Sequence, residues 1–145
     1  MKFPDRWSIQ DLIPHRGAMC FLDELVLANE KEVVCQGIVR PDNPLLDHDR
    51  LPGWALLEFL AQAAAVLQGF SAAHGEASPL RHGLGYLTSI FDAQFVEPYP
   101  RIGERLTVSL QRESLYGPWA SFQGEVIGED GRICQGRITV RGIDP

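Results

Sequence analysis

Basic charge is scarce in this chain: 13 lysines and arginines stand against 19 aspartates and glutamates, a net charge of −6. Nucleic-acid binding needs a basic footprint, so that class is set aside, and adhesion to an anionic membrane surface goes with it. Cysteine is sparse too. Cys20, Cys35 and Cys134 are odd in number and lack metal-type spacing, so they read as three reduced packing residues in strand-like runs. The opening MKFPDRWSIQ has no apolar stretch and hence no secretory signal, so a cytoplasmic protein is expected. A long unbroken hydrophobic run is also missing. A spanning helix needs ~20 predominantly apolar residues, and the most apolar stretch, 51–69, is interrupted by Glu58 and Gln62 and diluted by alanine. No membrane partner is expected. What is present is ordinary: 145 residues, 45% hydrophobic and 22% charged. That composition predicts a single domain over residues 1–145 with a real core.

The stretch 51–69, LPGWALLEFLAQAAAVLQG, organises the rest. Pro52 suits a first helical turn, where its missing N–H has no partner to lose. Apolar residues then cover every face, which predicts a helix wrapped on most sides rather than laid on a surface. Glu58 and Gln62 are four apart and share a face. A carboxylate there is costly without a partner or a task. Taken alone, Glu58 has two readings, a first-turn carboxylate favoured by the helix dipole or a functional group. Just upstream, Asp47-His48-Asp49-Arg50 is the densest cluster of ionisable groups in the chain.

Around this helix the pattern is of strands. A short helix is predicted within 7–13, with Ser8 as cap, and a turn at 13–17. Strands are predicted at 19–28 and 32–40, joined by a hairpin, and 41–50 is a loop. After the helix, 71–79 is small and polar and predicted to be a loop. Strands follow at 83–97, 104–115, 119–127 and 132–141. Leu106, Val108 and Leu110 share a face, as do Ala120, Phe122, Gly124 and Val126, and Cys134, Gly136, Ile138 and Val140. Asp130-Gly131 is a strong hairpin signal. Two strands, one buried helix and four strands with clean alternation predict an α+β hotdog fold. In it, a curved antiparallel sheet of about six strands wraps one long helix. Open sheet edges invite dimerisation.

Read this far, the chain resembles the hotdog-fold 3-hydroxyacyl-acyl-carrier-protein dehydratases of fatty-acid synthesis, over about residues 12–141. Leu12-Ile13-Pro14-His15-Arg16 with Phe21-Leu22-Asp23 is similar to the family's N-terminal signature. Pro52-Gly53, Leu57-Glu58 and Ala61-Gln62-Ala63 are similar to its helix motif, the most specific match. Phe91-Asp92-Ala93-Gln94-Phe95, Pro98, Gly103-Glu104 and Leu106 resemble the strand pair that follows. The short pre-helix loop is more similar to a divergent branch, the dehydratases associated with aryl polyene biosynthesis.

The resemblance implies dehydration of 3-hydroxyacyl thioesters, carried on acyl carrier protein or coenzyme A, to trans-2-enoyl thioesters, without metal or organic cofactor. It implies a homodimer or higher hotdog oligomer, or a heterodimer with a related subunit. A histidine and a glutamate from opposite subunits form each site. Glu58 takes the glutamate's place. The family's histidine falls about eight residues before the Pro of Pro-Gly, where this chain has Pro44, and His48 is the nearest replacement. His48 is then the expected base and Glu58 the expected acid. Backbone N–H groups at Gly53 would polarise the thioester carbonyl, and Gly53, Gln62 and Gly85 are expected against the substrate. Gln62 is also suited to bond backbone or to orient Glu58. His15 is read as structural, and His74 and His82 as exposed beside a loop at 71–82 that gates the tunnel. Tyr86, Phe91 and Phe95 belong to core and interface. Arg81, Arg101, Arg105 and Arg112 read singly as solvated charge. Two other classes stay open: a non-catalytic hotdog subunit supporting a catalytic partner, and an acyl thioesterase.

Overall fold

Alternating apolar residues dictate strands, and a helix apolar on all sides dictates that something must enclose it. The computed structural model describes residues 8–73 and 85–142 and shows both. The elements are α1 (Ile9–Leu12), a 3-10 turn (Gly17–Met19), β1 (Glu24–Ala28), β2 (Glu32–Ile38), a second 3-10 turn (Gly53–Ala55), α2 (Leu56–Ala73), β3 (Gly85–Phe95), β4 (Arg105–Tyr116), β5 (Trp119–Gly128) and β6 (Gly131–Gly142). The strands form one sheet in the order β1-β2-β4-β5-β6-β3, every neighbour antiparallel. Helix α2 packs against β2, β4, β5 and β6, so the sheet curls around it in the expected hotdog arrangement.

The register turns sequence alternation into a core. Cys35 on β2, Val108 on β4, Val126 on β5 and Cys134 on β6 lie side by side and are buried beneath α2. Phe59, Leu60, Val66, Leu67 and Phe70 fill the space from the helix side. The stretch Gly53–Ala73 is long and apolar enough to cross a membrane, but 78% of its window is buried inside the fold. It is the core helix of the fold.

Three boundaries differ from expectation. Strand β1 starts at Glu24 rather than near residue 19. The segment before it is spent on the helix instead: Gly17 has φ +61°, and the Phe21 N–H donates to the Gln62 side chain at 2.9 Å. Helix α2 continues to Ala73, because Ser71, expected in a loop, is buried on it. The remainder of the predicted loop, with its gating role and His74, Arg81 and His82, lies outside the described residues. At the far end of the sheet, edge strand β3 exposes Tyr86, Leu87, Ile90, Phe91 and Phe95.

Candidate active site

Glu58 sits in the first turn of α2, its side chain 32% exposed. The residue beside it is His15, whose Nε2 lies 3.7 Å from Glu58 Oε1. The two residues are 43 positions apart, and four local features bring them together.

The first is Gln62, one helical turn beyond Glu58. Its Nε2 donates to Glu58 Oε1 at 3.0 Å and to the Met19 carbonyl at 2.8 Å, and its Oε1 accepts from the Phe21 N–H at 2.9 Å. One fully buried amide therefore holds the carboxylate and staples the 19–21 segment to the helix. The second is Gly69, further along the same face. A Cβ there would lie 2.2 Å from the Leu12 carbonyl oxygen, so only glycine lets the chain before His15 approach so closely. The third is Phe21, whose ring packs on Phe59 with centroids 5.2 Å apart. The fourth is Arg16, whose guanidinium donates to the carbonyls of Gln10 (2.8 Å), Ile13 (2.6 Å) and His15 (2.8 Å). It locks the turn that presents the imidazole.

His15 and Glu58 line one cavity of about 180 Å³, together with Ala61, Ala65, Gly85, Leu87 and Val140. Small residues on α2 and at the start of β3 leave this space. The cavity joins a carboxylate and an imidazole to an otherwise apolar wall, the usual make-up of a small-molecule site. Burial holds the His15 pKa below the ordinary histidine value; the Glu58 charge opposes this and the Arg16 charge reinforces it. The result is a neutral imidazole at pH 7. Its Nδ1 is buried and has no hydrogen-bond partner among the described residues. A larger cavity of about 430 Å³, bordered by Cys20, Asp23, Arg40 and Asp42, contains neither Glu58 nor His15.

The other expected site residues fall as follows. His48 is not beside the Glu58 of its own chain. Asp47 and Arg50 exchange backbone hydrogen bonds at 2.8 and 3.2 Å, which makes His48 and Asp49 the corners of a tight turn, with His48 at φ +59°. That turn is pinned to the 99–102 segment by Ile102 N–H to the Asp49 carbonyl (3.0 Å) and by Arg50 to the Tyr99 carbonyl (2.7 Å). The His48 side chain is 94% exposed and lies 2.9 Å from Asp47. Gln62, expected against substrate, has no face left for one: its amide is spent on protein partners. Gly53 is buried, and the room left by its missing side chain is filled by the Tyr99 ring, 2.9 Å from where a Cβ would stand. Gly85 does line the cavity. His15, read from the sequence as structural, is the histidine that the structure brings beside Glu58. The available signal was its place in the motif at 12–16, next to Arg16.

A family model described as ApeP-like, ApeP dehydratase, matches residues 7–144. The chain is 26% identical over 146 residues to a 3-hydroxyacyl-[acyl-carrier-protein] dehydratase FabZ of Campylobacter jejuni, covering 97% of this chain and 98% of that one. It is 30% identical over 143 residues to the FabZ of a Nitratiruptor species, covering 94% and 96%. Among solved structures, the dehydratase heterocomplex ApeI:P from Xenorhabdus doucetiae superposes with a TM-score of 0.82 at 25% identity, covering 95% of this chain and 92% of that one.

Proposed function

Because the chain belongs to the ApeP-like dehydratase family, we propose that it removes water from 3-hydroxyacyl thioesters on an acyl carrier protein. The products are trans-2-enoyl thioesters, in fatty-acid or polyene-type synthesis in the cytoplasm. The observation that carries this reading is the single cavity in which a carboxylate and a neutral imidazole face each other against apolar walls. Dehydration needs those two groups: a base to take the proton next to the thioester carbonyl, and an acid to protonate the leaving hydroxyl. Glu58 is the acid. The N–H groups of the first turn, at Gly53 and Trp54, have no partner within the helix and suit a carbonyl oxygen gaining charge.

The protein works as a dimer or a larger hotdog assembly. Strand β3 is a free edge with five exposed apolar side chains, and an edge of that kind favours pairing with another strand. A second copy or a related hotdog subunit would fit, and the similar ApeI:P structure is itself a heterocomplex. In a dimer, His48 of the second protomer would be the base if the arrangement implied by the family resemblance held.

Hydration of an enoyl-pantetheine thioester, the reverse reaction, tests this directly. Loss of the enoyl absorbance without release of free thiol is expected. Release of thiol with the double bond intact would replace dehydration by thioester hydrolysis.

A further inference from the structure

We propose that the general base is His15 of the same protomer, which shares one proton with Glu58. The inference rests on the dehydratase reading and assigns the half of the chemistry that the sequence left to His48. Its Nε2 is 3.7 Å from the Glu58 carboxylate, and both groups border the same cavity. Gln62, Gly69, Phe21 and Arg16 hold the two elements in that relation. Where the resemblance implies a base, this chain has Pro44, which has no titratable group. His48 stands on a pinned turn and does not reach the Glu58 of its own chain.

A histidine kept only for packing has its ring nitrogens satisfied, whereas the Nδ1 of His15 is buried without a partner among the described residues. Such a group is costly, and the cost calls for an explanation. Function supplies one. The charged groups that face the ring are Glu58 on α2 and Arg16 on its own turn, and burial outweighs the Glu58 charge to keep it neutral.

The proton balance closes within the pair. The neutral Nε2 takes the proton from C2 of the substrate. The imidazolium passes that proton to the Glu58 carboxylate, which gives it to the departing hydroxyl as the C3–O bond breaks. Water and the enoyl thioester leave, and the pair is reset.

The test is enoyl-pantetheine hydration by the full chain, with His15→Gln, His15→Ala, His48→Ala and Glu58→Gln compared at equal foldedness by circular dichroism. His15→Gln is expected to lose about 10²–10⁴-fold in kcat/KM, the usual weight of a general base, and added imidazole to restore part of the rate to His15→Ala. His48→Ala falling as far as His15→Gln overturns the assignment and returns the base to the second protomer, with the dehydratase reading intact. A wild type without hydration activity overturns that reading, and the base falls with it. A second readout is independent of rate: the NMR titration of His15 should move to lower pH in Glu58→Gln, because the opposing charge is gone. An unmoved titration overturns the pairing whatever the kinetics show.

Discussion

Replacing Gln62 by leucine, close to it in size, removes every polar contact that ties Glu58 to the 19–21 segment. The Phe21 N–H, buried, loses its acceptor, and the part-buried Met19 carbonyl loses its donor. An orphaned buried group costs about 1–3 kcal/mol, and a lost bond that water can replace about 0.5–1.5. The apolar gain of leucine at a fully buried position recovers part of that, leaving a net loss of roughly 2–3 kcal/mol. For a chain of this length ~2–4 °C is lost per kcal/mol, so the melting temperature should fall by roughly 4–12 °C. Chemical denaturation at constant m-value measures it. The same variant frees the Glu58 carboxylate, so activity should fall more than stability accounts for. A double-mutant cycle with Glu58→Gln should then show a coupling of about 0.5–3 kcal/mol, as expected for residues in one hydrogen-bond network. A melting temperature within about 2 °C of wild type, or strict additivity in the cycle, would refute the idea that one amide organises this site.

Other expectations follow from the same geometry. Gly69→Ala drives a Cβ toward the Leu12 carbonyl, 2.2 Å away. It should cost about 1–3 kcal/mol and also displace His15, seen as loss of rate in a protein that still melts cooperatively. His15 titrates below 6.5 in the folded chain, so as the pH drops the unfolded chain takes up that proton first. Stability should therefore decline from about pH 6.5 downward and level off below the folded pKa. Urea unfolding at pH 7.5 and 5.5 should show a shallower decline in His15→Gln, and equal slopes in the two proteins would count against a buried neutral histidine. Charging the free edge, as in Phe91→Lys on β3, should shift the assembly toward monomer in light scattering, and an unchanged mass would move the interface elsewhere. Burial raises the Cys134 thiol to about 11 and pushes Cys35 up still further. Neither should react with a disulfide reagent at pH 8 until the protein is unfolded.

Most of the fold was readable because its signals are local. The alternation of Ala120, Phe122, Gly124 and Val126 needs only the period of a strand, and Asp130-Gly131 needs only the geometry of a tight turn; β5, β6 and their hairpin lie where those residues put them. The same reasoning placed β1 too early, because the 17–22 segment is apolar enough for a strand but is claimed by Gln62, a residue some 40 positions later. The site read through only in part, for a related reason. Glu58 announces itself as a carboxylate in an apolar helix, and Gln62 as its neighbour on the same face. His15 stands out less, since its approach to Glu58 depends on a contact across the core that no local pattern encodes.

His48, by contrast, looked placed by sequence proximity to the helix start. Proximity along a chain says little when a four-residue turn can aim the side chain outward. The Asp47–Arg50 turn does this by closing on itself and bonding to the 99–102 segment. Proline at position 44 leaves the loop without a histidine there, and the closed turn keeps His48 from the Glu58 of its own chain. An imidazole that meets Glu58 within one protomer has to come from an element already held against it. Among the described residues, the imidazole so held is the one on the turn that Gln62, Gly69 and Arg16 fix to α2.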